Sequence, residues 1–123
     1  ALAALGAEYT STLKRAFGER WIDLLPNEGK RSGAYSDGSP VDVHPYVLMN
    51  FNGKYTDVST LAHELGHAMH SYLSNKTQPY PTAFYPLFVA EVASTFDEAL
   101  LVDYMMKTTT DRDWRCSGTI WKT

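Results

Sequence analysis

His63-Glu64-Leu65-Gly66-His67 is the stretch on which the reading of this chain turns. On a helix, His63 and His67 lie one turn apart on the same side, so both imidazoles can reach one metal ion. Glu64, between them, can take a proton from a water that the metal polarises. Residues of these types at this spacing form the working half of a zinc peptidase site. Catalytic zinc usually takes three protein ligands and keeps one position open, so a third ligand has to come from elsewhere in the chain.

The flanking sequence supports a helix. Thr56 or Asp57 can cap it, and the pattern carries it over Asp57–Ser74. On a 3.6-residue wheel Leu61, Leu65, Ala68, Met69 and Tyr72 share an apolar face, with His63, His67 and His70 opposite. Gly66 costs about 1 kcal/mol relative to alanine inside a helix. It either admits a second backbone or is incidental. Pro79 and Pro81 break the chain, and Pro86 suits the start of another helix running to Lys107. Phe88, Val89, Val92, Ala93, Phe96, Ala99 and Leu100 form its apolar face, and Glu91, Ser94, Thr95 and Glu98 its polar one.

Upstream, Leu2, Leu5, Tyr9, Leu13 and Phe17 recur at helical spacing, and Trp21 to Pro26 reads as the exit from that helix. Asn27 to Pro40 is rich in Gly, Ser, Asp and Asn and reads as loop. Val41 to His44 alternates like a strand that Tyr46-Val47-Leu48-Met49 continues, ending near Asn52-Gly53. Pro45 cannot donate a ladder hydrogen bond, which favours an edge strand. The fold class expected is mainly α with a small β element, an α+β zinc-peptidase core.

Composition narrows the rest. The 123 residues suffice for one small domain, and 44% hydrophobic with 20% charged residues is ordinary for a globular chain. A net charge of −3 gives no argument for nucleic acid or an anionic membrane as partner. No apolar run spans a bilayer, and the opening Ala1 to Leu5 lacks the flanks of a signal peptide. The chain begins without Met, so it reads as an excerpt of something longer. Cys116, the single cysteine, rules out a disulfide framework and fits a reducing, cytoplasmic compartment.

The third ligand remains to be found. A histidine ligand in the metzincin pattern requires glycine at position 70 and histidine at 73; this chain has His70 and Leu73. A glutamate on the following helix is the other common solution, and Glu91 leads that polar face. Its bland reading is an exposed surface acid.

Longer stretches carry a resemblance. His63 to Ser71, Gln78-Pro79-Tyr80 and Phe88 to Glu98, with Gly29 to Ser36 and Pro45 to Phe51 upstream, are similar to the M3 family of zinc metallopeptidases, in its oligoendopeptidase F group. The likeness extends from about Glu8 to about Asp113. It implies one zinc ion held by His63, His67 and Glu91, Glu64 as general base, and short peptides as substrates. Family members also stabilise the oxyanion with His and Tyr side chains from a segment well downstream, which this chain does not contain. A catalytic-core fragment, residues 1–113, with little activity of its own is therefore expected; the alternative is a non-catalytic zinc- or peptide-binding remnant. A helical domain with an accidental motif is a third reading, and would require Glu91 far from His63. Apolar surface left uncovered would favour self-association.

Other residues are less determined. His70 sits about 10 Å along the axis from His63, too far to share its ion easily, and is assigned to supporting the ligands or to packing. Glu98 either orients a ligand histidine or is a solvated acid. His44 reads as a strand-surface residue. Gly33-Ala34-Tyr35 either lines the cleft or is a simple turn. The strand from Tyr46 to Phe51 could take up an extended peptide by backbone pairing, with Leu48 and Asn50 at the contact. Residues 114–123 have no helical period and depart from the family. In another reading frame their codons permit the expected helix, so a frameshifted end is inferred, against a cloning scar or a divergent tail.

Overall fold

The computed structural model describes residues 1–110; the boundary at Asp113 and the atypical tail lie outside the described residues. The elements are α1 (Ala7–Gly18), β1 (Ile22–Asp23), β2 (Tyr35–Asp37), β3 (Tyr46–Leu48), α2 (Tyr55–Thr77) and α3 (Leu87–Thr108), with 3₁₀ turns at Leu2–Leu5 and Tyr80–Thr82. Helices dominate and the sheet is small, as the α+β reading requires.

α2 is the central element, touching α1, the sheet and α3. It begins at Tyr55, with Lys54 at the N-cap position instead of Thr56 or Asp57. Asp57 serves the start from inside the first turn: its Oδ2 accepts the backbone N–H of Asn52 at 2.9 Å and of Lys54 at 3.0 Å. These bonds satisfy donors that a helix start leaves open. The helix stops where Gln78, before Pro79, is forced into extended backbone. Its apolar face packs as the periodicity requires. Leu65 and Met69 meet Leu13 of α1, Ala68 meets Val47 and Met49 around β3, and Leu61 touches both clusters.

The sheet corrects two expectations. Its order is β1-β3-β2, so the strand through Tyr46 is central and not an edge. β1 runs parallel to it (Ile22 opposite Val47) and β2 antiparallel (Tyr35 opposite Leu48). Pro45 precedes the strand, so its missing N–H costs no ladder bond, and Val41 to His44 lie outside any strand, with a turn at Val41 and Asp42. The supposed helix exit and the supposed loop each supply a strand. His44 is half-buried, stacked on Trp21 at 4.8 Å and against Tyr46 at 4.6 Å.

The first helix is also not continuous. Gly6, at φ 95°, separates the 3₁₀ turn from α1. α1 buries Thr12, Leu13 and Ala16, whereas Phe17 is 56% exposed. At 100° per residue, position 17 falls at the rim of the face centred on Tyr9, Leu13 and Ala16.

α3 presents a small, polar face to the molecule: Ala90, Ser94, Asp97 and Leu101 are its buried residues. The expected apolar face does not pack, and Phe88, Val92 and Phe96 stay 84%, 59% and 53% exposed. α3 approaches α2 at Gly66, where a Cβ would lie 2.6 Å from the Ser94 Cα and 2.9 Å from the Ala93 carbonyl oxygen. The glycine is there because backbone meets backbone. Gly66→Ala is expected to destabilise the zinc-free fold by about 1–3 kcal/mol, as overpacking does, despite the better helix propensity of alanine. A urea midpoint equal to or above wild type would contradict the close approach.

α1 is tied to α3 by Tyr9, whose hydroxyl donates to Asp97 Oδ2 at 2.7 Å. Asp97 is only 2% exposed. Burial raises its pKa above 3.8, opposed by the Tyr9 hydrogen bond, while burial and then the neighbouring Asp97 raise that of Tyr9. From pH 3.8 upward the folded state therefore binds more protons than the unfolded one, and this group's contribution to stability falls as pH rises through its folded pKa. Asp97→Asn should remove that loss. Its urea midpoint relative to wild type is expected to climb between pH 4 and pH 7, and a constant difference would refute the assignment.

Candidate metal centre

His63 and His67 occupy adjacent turns of α2, flanking Gly66, and Glu91 stands on the first half of α3. The two Nε2 atoms face each other at 3.1 Å. Glu91 Oε2 lies 3.4 Å from His63 Nε2, and Oε1 lies 3.7 Å from His67 Nε2. One ligand atom from each residue falls within 4.8 Å of the other two. The reading of an accidental motif required these groups to be far apart, and they converge. Two imidazole nitrogens and a carboxylate oxygen are the donor set of a catalytic zinc site with a vacant position.

The environment suits that chemistry. Burial, then the neighbouring His63, lower the pKa of His67, which keeps it neutral, the form that binds metal. His63 turns its other nitrogen, Nδ1, to Glu98 Oε1 at 2.5 Å, and Glu98 Oε2 accepts the Ser59 hydroxyl at 3.3 Å. Glu98 is thus partly buried between two elements of the site and is not a solvated acid. Glu64 is 8% exposed and does not belong to the converging group. Burial raises its pKa, with the carboxylates of Glu91 and Glu98 adding to the rise and His63 opposing it.

His70 stands apart from the ligand atoms. Its ring stacks on Tyr85 at 3.8 Å and 9°, and the Tyr85 hydroxyl meets Ser71 Oγ at 2.5 Å. This packing fastens the connection between α2 and α3. The other sequence-derived candidates are dispersed around the sheet. Asn50 Nδ2 donates to the carbonyls of Arg31 at 3.0 Å and Gly33 at 2.9 Å, so its amide pins the loop before β2. Leu48 has β1 on one side and β2 on the other, so no peptide can pair with it. Gly33 and Ala34 lead into β2, which begins at Tyr35 and forms one edge of the sheet. Gly38, just after β2, lies so near α2 that a Cβ there would collide with that of Ser71. The β2 edge therefore runs beside α2, one turn beyond His67. Sequence reasoning passed over Ser59, Ser94 and Asp97; for Ser94 the signal was its place one turn after Glu91 on the same face.

No helix among the described residues is long and apolar enough to cross a membrane. The comparisons with known proteins agree with the geometry. Oligopeptidase PepF of Bacillus subtilis (strain 168) is 49% identical over 114 residues, and the chromosomal oligoendopeptidase F of Lactococcus lactis subsp. cremoris is 46% identical over 114. Each match takes in 93% of this chain but only 17% and 19% of the relative, so the chain spans less than a fifth of their length. A crystal structure from Chlamydophila abortus, assigned to the peptidases, superposes with a TM-score of 0.86 at 48% identity, over 98% of this chain and 21% of that one. PZ peptidase A, solved with an inhibitor, gives a TM-score of 0.71 at 26% identity, over 81% of this chain and 18% of that one. Residues 3–118 match peptidase family M3, and the chain belongs to that family.

Proposed function

We propose that this chain carries the catalytic centre of a zinc-dependent endopeptidase acting on oligopeptides in the cytoplasm. The observation that carries the reading is the convergence of His63, His67 and Glu91 beside a buried, unligated Glu64. Zinc bound by the three would polarise the scissile carbonyl and acidify the attacking water. The chain's own residues do the rest. Glu64 accepts the proton of that water and delivers it to the leaving amine, and its burial, by raising its pKa, makes it the stronger base. Glu98 holds a proton on His63 Nδ1, so that Nε2 carries the free lone pair. An extended peptide lies along the outer edge of β2, over Gly33, Ala34 and Tyr35, and not on β3 as the sequence suggested.

A second reading concerns the chain by itself. Relatives about five times longer supply more of the substrate channel and, by family resemblance, the oxyanion-stabilising side chains. Loss of one such donor costs about a hundredfold or more in turnover. The isolated chain is then a zinc- and peptide-binding piece with little hydrolysis, and Phe88, Val92 and Phe96 lead it to self-associate.

Zinc titration separates the roles. One ion per chain is expected, lost in His63→Ala, His67→Ala and Glu91→Ala but retained in Glu64→Gln. A Glu64→Gln chain that loses its zinc would assign Glu64 to the ligands and overturn its role as base. Hydrolysis of a quenched-fluorescent oligopeptide should fall by about 10²–10⁴ when Glu64→Gln is placed in a full-length enzyme containing this segment. The 123-residue chain alone should turn over far below about ten per second. Turnover near that rate would show that the chain is self-sufficient.

A further inference from the structure

Ser94 is a fully buried hydroxyl, at 0% exposure, that neither the metal reading nor the sequence pattern employs. It lies where α3 meets α2, with its backbone against Gly66. Two acceptors are within its reach, both on Glu91: carboxylate Oε2 at 3.0 Å and the backbone carbonyl at 3.2 Å. A serine has one proton to give. The Glu91 carbonyl is already taken, since Thr95 Oγ1 donates to it at 2.5 Å. The carboxylate is the closer acceptor and the charged one, and a charge-assisted bond is the stronger.

We infer that Ser94 is a positioning residue for the metal centre, its hydroxyl fixing the carboxylate of Glu91 in the orientation that faces His63 and His67. The inference rests on the metal-site reading above and extends it. Glu91 has several rotatable bonds, and its side chain is 42% exposed. Unrestrained, it would sample solvent-facing rotamers. The Ser94 bond selects Oε2, the oxygen that also lies 3.4 Å from His63 Nε2. Two of the candidate ligands thereby have a separate partner: Glu98 for His63 and Ser94 for Glu91. α3 supplies both. Gly66 has a second purpose on this account, because a side chain there would displace Ser94 together with the backbone that carries it.

Zinc affinity measured by competition with a chromophoric chelator tests the inference. Ser94→Ala, which removes only Oγ, should weaken zinc binding about 10- to 100-fold, as loss of a partner outside the ligands does. In a Glu91→Gln background, where affinity is already lowered, Ser94→Ala should add little. Ser74→Ala provides the control: it deletes a comparable hydroxyl, bonded to the Ala83 carbonyl at 2.6 Å, and should lower stability without moving the zinc affinity. Ser94→Cys, of similar size with a poorer donor, carries the measurement if the alanine variant does not fold, and should also weaken binding. Wild-type affinity in Ser94→Ala, or an equal loss in both backgrounds, would assign Ser94 to packing and overturn the inference. A wild-type chain that takes up no zinc would overturn the metal-site reading first and this inference with it.

Discussion

The backbones of α2 and α3 come together at Gly66 and Ser94, and the whole site hangs on that approach. His63 and His67 flank the glycine on one helix. Glu91 and Glu98 flank the serine on the other, one turn before and one turn after. A contact between side chains of ordinary size sets helix axes 8–10 Å apart. A glycine at the crossing lets the helices come closer, so that a glutamate from one can reach imidazoles on the other. The unfavourable helix propensity of glycine, about 1 kcal/mol, is the local cost of that reach.

That proximity concentrates charge that the isolated protein does not welcome. Burial raises the cost of ionising Glu64, and the carboxylates of Glu91 and Glu98 add to it. The two Nε2 atoms are only 3.1 Å apart, and burial, then the neighbouring His63, lower the pKa of His67. In the absence of a cation such a cluster opposes folding. A divalent cation among these groups would offset those repulsions, and its binding free energy would then add to the folding free energy. The buried Tyr9–Asp97 pair has no such use and acts on the fold alone, tying α1 to the inner face of α3.

How far the sequence could be read follows from which signals are local. α2 and α3 were legible because a 3.6-residue period and, for α2, the HExxH spacing lie within their own spans, while Pro79, Pro81 and Pro86 mark the break between them. Glu91 could be singled out as a candidate third ligand because a polar face on the next helix could be drawn on a wheel, and it does converge with His63 and His67. β1 and β2 were not legible: two- and three-residue strands carry no alternation, and their existence depends on pairing with β3. The misplacement of β3 at an edge came from taking Pro45 as part of the strand, when it only precedes it. Asn50 looked like a cleft residue, but its amide serves loop carbonyls at Arg31 and Gly33. Ser59 and Ser94 left little trace, since a serine in a helix reads the same whether it caps, back-bonds or holds a carboxylate.

α3 has the remaining lesson. Its inner face, Ala90, Ser94, Asp97 and Leu101, is packed, while Phe88, Val92 and Phe96 lie open on the outer face. A surface helix has the reverse arrangement, apolar inside and polar outside. A helix packed on one side and apolar on the other belongs in the interior of a larger body. The relatives in family M3 are such bodies, about five times the length of this chain. The two faces of α3 then answer to different demands. The inner face is small and polar because it must bring a carboxylate, a hydroxyl and a second carboxylate to the histidines of α2. The outer face is apolar because apolar burial, at about 25 cal/mol per Å², is what would hold such a helix in place against the rest of an enzyme.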